Sequence, residues 1–593
     1  MAPDQNTAVE HCRLAIIDPE NPEANQPFSD PTGRWTIVYN GEVFNFRELR
    51  RELEREGFSF STNSDTEVVL SGFICHQERV LERLRGMFSF VIWDHSSGDV
   101  FAARDQIGVK PLHYLIEDGV IAICSEVRPL LEFPGFRPSL DPLGVVEFLA
   151  FGVNLTEKTI VSNVSQLPPG HLMWIRNGRV TIEEYWDLVP PLGAVDSDSA
   201  AQDLFGRVND AVAAALVSDV PVGMMLSGGI DSSVIAALSA RHTDPSTLTA
   251  YSVEFGLPND EADVAGRLAR DLGMRHRTIS ATRREVGEAF AAWLEHLDYP
   301  AGNPTWIAVS LIARATHDDG IKVLLSGDGG DELFGGYNRW MKYLRFHDRV
   351  WTRTPRPAKQ LAGSIARRTV GGLAGDIARR AATGGDLFVP SRPCHDDVLT
   401  TCLGPAGRQV FTSSPPEAPI EELRRRFDDR FPDGDYLAWM SYAMLKTKLV
   451  QDYLLRLDRM AMRYSVEGRV PLLDPDLARW ALGAPQALKV PGYRQKALFR
   501  SSVEHVLPPY IVHRPKQGFC PPIGEWCEQL LARRGVPDES PLFESGILSK
   551  RRVEEVRQRS GNGFALWTID ILLDWVGRNV EVSSVPSTEE AMV

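Results

Sequence analysis

The rhythm of hydrophobic and polar positions changes near residue 200. Before it, short apolar runs are broken by glycine turns. Residues 35–39 (WTIVY) read as a strand that ends in a turn at Asn40-Gly41. Residues 46–57 are charged and helical, with Glu48 early and Gly57 as the stop. Residues 87–93 and 100–103 are predicted strands around a turn at 94–98, and 121–124 is another strand. Gly119, Gly170 and Gly178 punctuate hairpin-like pairs.

A Pro/Gly/Asp/Ser stretch over 190–199 marks a linker, and strand and helix then alternate. Helices are predicted at 200–216, 233–241 and 263–272, and strands at 221–226, 247–255 and 321–325. This alternation predicts a parallel α/β sheet with right-handed crossovers. Residues 350–426, rich in Arg, Gly, Ala and Pro, read as a solvated helical insertion, with a basic docking patch as the other reading. The chain is strongly helical again from Tyr436. The expected division is 1–190, a linker at 191–199, a larger unit at 200–580 and a disordered tail at 581–593.

The sharpest chemistry lies at two of these strand ends. Leu226-Ser227-Gly228-Gly229-Ile230-Asp231-Ser232-Ser233 follows a strand and opens a helix. Gly228 and Gly229 allow a tight turn and close approach of a ligand. The free amides of the helix start favour an anion, and the hydroxyls of Ser227, Ser232 and Ser233 add donors. The loop lacks the lysine of a Walker motif. Asp231 would repel a phosphate unless a cation lies between them, so it reads as a Mg²⁺ ligand. The second strand end carries Ser326-Gly327-Asp328-Gly329-Gly330-Asp331-Glu332-Leu333-Phe334-Gly335-Gly336-Tyr337. Two such loops would bracket one Mg²⁺–polyphosphate unit. The Gly335-Gly336 pair reads as a turn.

Together these loops resemble the synthetase half of the asparagine synthetase (glutamine-hydrolysing) family. The resemblance implies an ATP-pyrophosphatase (adenine nucleotide alpha hydrolase-like) fold, a parallel sheet with a helical C-terminal part. It also implies a ligase reaction. A carboxylate attacks the α-phosphorus of ATP, pyrophosphate leaves, and a nitrogen nucleophile displaces AMP to form an amide. ATP and Mg²⁺ are the implied cofactors, with Asp231 and Asp331 as metal ligands. Leu226, Ser326 and Gly327 match ATP contacts, and Phe255 or Val253 the apolar contact beside adenosine. Asp458-Arg459-Met460-Ala461-Met462 and the segment from Glu467 to Asp474 match further family elements. Lys496 matches the catalytic lysine, and a fixed cation suits the charge that builds on phosphate and oxyanion. Arg514, Lys516, Gln517, Gly518 and Phe519 match another element, with Lys516 a second phosphate-facing cation. Asp328 stands where the family often carries Glu, and it is expected to be catalytic, handling the incoming amine with a shorter reach.

The first half resembles the family's class II glutaminase, an N-terminal-nucleophile αββα fold. The matches are the segment from His11 to Asp18, Asn25-Gln26-Pro27, Asn40-Gly41-Glu42, Ser64-Asp65-Thr66-Glu67 and the segment from Arg104 to Leu112. The resemblance implies that Arg13 and Asp65 hold glutamine's α-carboxylate and α-amine, that Glu42 lies beside it, and that Asn40 and Gly41 form the oxyanion hole. The family's nucleophile is a cysteine at position 2, whose own α-amine is the base. Here position 2 is Ala2, and the family's M-C-G-I strand and R-G-P-D segment have no counterpart ahead of His11. The half is therefore expected to be an incomplete glutaminase domain with an opened sheet edge. Internal Cys12 is expected to be a small buried residue in a strand. Either the glutaminase chemistry is lost or the true start lies upstream. For the chain as it stands the expectation is no glutamine hydrolysis, with free ammonia or a substrate amine supplying nitrogen. A β-lactam-synthetase-like cyclase and a non-catalytic scaffold are the competing readings.

Composition narrows the partners. The chain has 593 residues, 43% hydrophobic and 24% charged, which is ordinary globular usage. Its 64 basic and 79 acidic side chains leave a net charge of −15, so no nucleic-acid partner is expected. No apolar run approaches the ~18 residues of a membrane span, so no membrane partner is expected either. The first residues carry no signal-peptide pattern. Cys12, Cys75, Cys124, Cys394, Cys402, Cys520 and Cys527 include no C-x₂-C pair, which argues against a structural zinc site and fits a reducing cytoplasm. The expected partners are a small-molecule carboxylate and an ammonia or amine donor. Aspartate is the family's default acid, and a homodimer stays open.

Overall fold

The computed structural model describes residues 7–117, 119–190, 195–256, 260–366, 370–516, 522–531, 534–558 and 563–581. Ala2, residues 191–194 of the linker, Gln517, Gly518, Phe519, Cys520 and residues 582–593 lie outside these, and so do the expectations placed on them.

Among its described residues the first half holds nine strands: β1 (Phe28–Ser29), β2 (Trp35–Val43), β3 (Gly86–Asp94), β4 (Val100–Arg104), β5 (His113–Glu117), β6 (Val120–Cys124), β7 (Val164–Gln166), β8 (His171–Arg176) and β9 (Arg179–Glu184). They form a six-stranded antiparallel sheet, β1-β2-β3-β4-β8-β9, and a smaller one, β6-β5-β7. Alternation along β4 separates two packing layers. Phe101 stacks on Phe73 of the helix Asp65–His76, with centroids 4.7 Å apart. Its neighbour Ala102 joins Leu112, Leu167 and Met173 in a separate core.

Three readings of this half are corrected. No turn occurs at Asn40-Gly41, because β2 continues through both and pairs them with Ser89 and Phe88 of β3. Gly41 makes this possible, since its φ is 143° and a Cβ there would lie 2.1 Å from the Met87 carbonyl oxygen. Gly170 joins no hairpin: β7 and β8 belong to different sheets, and Gly170 instead donates to the Asp105 carbonyl at 2.9 Å. Cys12 is exposed, and residues 11–16 join no ladder, so no sheet face is present to bury it. β6 is an edge of the smaller sheet, with Ile116 and Val120 exposed nearby.

The second half is built on β10 (Val222–Met225), β11 (Thr249–Glu254), β12 (Arg275–Ser280), β13 (Val323–Leu325) and β14 (Glu467–Arg469), all parallel, in the order β12-β11-β10-β13-β14. The chain leaves β10 toward β11 and β12, then returns to build β13 and β14 on the other side. The reversal creates a crevice at the carboxyl ends of β10 and β13, where open α/β sheets bind ligands. Both glycine loops lie there.

The 350–426 segment is less solvated than expected. Its helices enclose Leu387, Phe388, Leu399 and Leu403. Arg392 is buried and pairs with Glu417 at 2.7 Å, Asp396 at 2.9 Å and Asp376 at 3.5 Å. Burial of the Arg392 guanidinium requires such partners, so it faces inward, while Arg353, Arg356 and Arg425 stay exposed. No helix among the described residues is long and apolar enough to cross a membrane.

Candidate active site

A cavity of about 640 Å³ opens at the switch point. Its lining includes Leu226, Ser227, Gly229, Asp231 and Ser232 from the first loop, Ser326, Gly327, Asp328 and Asp331 from the second, and Val253, Phe255 and Lys516. The two loops touch directly, since a Cβ on Gly327 would lie 3.0 Å from the Ser232 amide and 3.2 Å from the Asp231 Cβ. The first loop is held by its own hydroxyls, with the Ser227 amide donating to Ser232 Oγ at 3.1 Å. Gly228, at φ 67°, lines a small adjoining cavity with Lys496, and its carbonyl accepts from Arg514 Nη1 at 3.1 Å. Ser233 is fully buried and lines neither cavity.

Lys496 stands between the two loops. Its Nζ lies 2.6 and 2.5 Å from the two Asp231 oxygens and also pairs with Asp331. Lys516 pairs with Asp331 from the other side at 2.6 Å. Lys496 is 1% exposed and adopts the left-handed φ of 51° as the N-cap of the helix Ala497–Val503. A non-glycine residue held there marks local strain of the kind found at functional sites. Gly336 is more than a turn residue: a Cβ on it would lie 1.8 Å from Asp331 Oδ1 and 2.2 Å from Lys496 Cε.

Burial would raise the Asp331 carboxyl, but Lys496 and Lys516 outweigh it and hold it down to about 2. Glu332 behaves oppositely. Burial, reinforced by Asp331, pushes its carboxyl up to about 7, although Tyr337 Oη donates to it. Asp328 is held at both oxygens, by Ser326 Oγ at 2.6 Å and by Arg456 Nη2 at 3.0 Å. Arg456 also donates to Thr305 Oγ1 at 2.9 Å, while its buried Nε has no partner. Glu332, Tyr337 and Arg456 all line the cavity and were not singled out from sequence. Glu332 and Tyr337 lie inside the second glycine loop, and Arg456 lies two residues ahead of Asp458.

The glutaminase-type residues also converge. Arg13, Asn40, Gly41, Glu42 and Asp65 line one cavity of about 50 Å³ with Cys12, and Met462 and Glu467 of the second half close it. Arg13 turns its guanidinium to the Ile17 carbonyl at 2.6 Å and to Asn25 Oδ1 at 3.3 Å. Asp65 accepts from Tyr39 Oη at 2.7 Å and the Val43 amide at 3.1 Å, and burial raises it to about 6. Burial, then Asp65, drives Glu42 well above the usual carboxylate range. The halves are fastened beside this cavity by the buried Lys110–Asp458 pair at 3.1 Å.

Comparison with known proteins agrees with this architecture. The asparagine synthase family model matches residues 204–577, and a glutamine amidotransferase domain model matches residues 1–186. Asparagine synthetase (glutamine-hydrolyzing) 1 of Bacillus subtilis is 28% identical over 592 residues, spanning 98% of this chain and 91% of its own. Asparagine synthetase (glutamine-hydrolyzing) 3 of the same organism is 26% identical, over 93% and 87% of the two chains. Amidase chry2 of Gibberella zeae is 29% identical, over 87% and 81%. The chain therefore belongs to the asparagine synthase family and is a ligase that forms C–N bonds.

Proposed function

We propose that this chain activates a small-molecule carboxylic acid with ATP and converts the acyl-adenylate to an amide, with free ammonia or another amine as the nitrogen donor. The observation that carries this reading is the Lys496 ammonium held against Asp231 and Asp331 where two glycine loops meet. In the first step an acid oxygen bonds to the α-phosphorus as the bond to the β-phosphate oxygen breaks and pyrophosphate leaves. Lys496 and Lys516 are the fixed cations for the charge that builds there. Leu226, Val253 and Phe255 form the apolar wall for adenosine, and 640 Å³ is ample for a nucleotide. In the second step the amine bonds to the acyl carbon, AMP leaves with the electron pair, and the surplus proton passes to a base. Glu332, titrating near 7, is suited to accept it. Arg456, with Nε unpartnered and Asp328 holding its Nη2, is placed to meet the acceptor's charge.

Asp231 and Asp331 fit Mg²⁺. Their oxygens share one cation already, and Gly330 keeps the space open, since a Cβ there would lie 2.4 Å from Asp231 Oδ1. Mg²⁺ held by these two residues would neutralise polyphosphate charge.

The glutamine-type cavity supports ammonia as the donor. Its enclosed part holds on the order of four waters. The thiol that lines it, Cys12, is an internal residue without an α-amine to act as base. The convergence of Arg13, Asn40, Gly41, Glu42 and Asp65 on one cavity favours a second reading, a glutamine-dependent enzyme whose nucleophile lies in a longer form. Pyrophosphate release across a panel of acids, with ammonium chloride against glutamine, separates them. Ammonium-supported release that is silent in Asp231→Ala supports the first reading. Glutamate release from glutamine by this chain contradicts it.

A further inference from the structure

Away from both cavities, the described residues bring together one more set of metal-ligating atoms: Glu56, Cys75 and His76. Glu56 caps the C-terminal end of the helix Phe46–Arg55, and Cys75 and His76 close the helix Asp65–His76. The negative ends of two helix dipoles therefore meet at one point, which favours a cation. Cys75 Sγ lies 2.8 Å from Glu56 Oε2, and His76 Nε2 lies 3.4 Å from the same oxygen. All three donor atoms fall within 4.8 Å of one another. A tetrahedral zinc ion with bonds of ~2.0–2.3 Å separates its ligand atoms by roughly 3.5 Å, so small side-chain rotations suffice.

A cation is already drawn to the cluster. Arg83 Nη1 lies 2.6 Å from His76 Nε2, and the same guanidinium pairs with Glu52. An arginine can only donate, so His76 Nε2 is an acceptor here, the form of histidine that ligates a metal, and the Arg83 guanidinium must swing aside toward Glu52 for that lone pair to reach an ion. The thiol, imidazole and carboxylate together match zinc better than Mg²⁺ or Ca²⁺, which prefer oxygen alone. Glu56 and His76 are 39% and 26% exposed, leaving a fourth position open to water.

We propose that Glu56, Cys75 and His76 form a surface zinc site with an open fourth position. Cysteine-spacing rules miss it because two ligands are adjacent and the third comes from the end of another helix.

The test is a Co²⁺ titration of the full chain, prepared without a polyhistidine tag. We expect one equivalent to produce a thiolate-to-cobalt charge-transfer band that Zn²⁺ displaces. Cys75→Ser, a near-isosteric change at a half-exposed position, is expected to lack the band. His76→Ala and Glu56→Gln are each expected to weaken Co²⁺ binding by at least about 10-fold, the loss seen when even a supporting partner of a metal ligand is removed. The absence of a saturable band, or an unchanged band in Cys75→Ser, overturns the proposal.

Discussion

Arg469 touches both halves of the molecule. Its guanidinium lies 3.4 Å from Glu42 Oε2 in the glutamine-type cavity, and its carbonyl accepts the Ser326 amide of the second glycine loop at 2.8 Å. The same guanidinium donates to Glu467 at 2.8 Å and to the carbonyls of Ala215 and Val217 at 2.8 and 2.6 Å. One residue of β14 thus ties a wall of the ATP-type crevice to the first half.

Arg469→Met removes the cation from a fully buried set and strands Glu467 and two carbonyls. It is expected to destabilise the fold by about 3 kcal/mol or more. Glu42→Gln is expected to be mild, within about 1 kcal/mol, because Glu42 is already held toward its neutral form. Denaturant unfolding of both variants checks this contrast.

Lys496→Met removes the cation shared by Asp231 and Asp331. It is expected to lower the rate of pyrophosphate formation by roughly 10²–10³-fold, the scale of losing one preorganised charge partner. Single-turnover assays with saturating ATP read the loss.

Gly336→Ala places a methyl group on Asp331 and Lys496, at separations no packed Cβ can hold. It is expected to abolish pyrophosphate release. Gly492→Ala instead carries a backbone cost that Gly336→Ala lacks, with φ 61° but nothing within 4 Å of its Cβ, and is expected to retain activity. The pair separates backbone strain from steric loss of the site.

Glu332 gives a pH signature. Its folded carboxyl titrates at about 7, above the ordinary 4.5, so the folded chain keeps a proton that the unfolded chain loses. Its contribution to stability is therefore full below about pH 4.5 and declines as pH rises through about 7. Glu332→Gln is expected to remove this slope in denaturant unfolding across that window. Its rate is also expected to lose the rise with pH near neutrality that a carboxylate base confers.

The parts of the site that lie close together in the chain were legible in the sequence. Both glycine loops, Asp231 and Asp331 carry their chemistry within a few residues of a strand end, where composition is informative. Lys496 and Lys516 could be placed only by resemblance, since an isolated lysine carries no local pattern. β12 was missed because Arg275, His276 and Arg277 read as polar surface, yet an edge strand tolerates them. β14 was missed because Glu467, Gly468 and Arg469 form a strand only by pairing with β13. Cys12 was misread because burial depends on a neighbouring strand that its own sequence cannot reveal. The cluster Glu56, Cys75 and His76 is legible only once two helix ends are brought together.

Activation of an acid as its adenylate in the crevice between the two glycine loops leaves an isotopic signature. With an acid that supports pyrophosphate release, both carboxylate oxygens are labelled with ¹⁸O and the products analysed by mass spectrometry. One labelled oxygen is expected in AMP for each amide formed. Unlabelled AMP, or label appearing in inorganic phosphate alongside ADP, would contradict it.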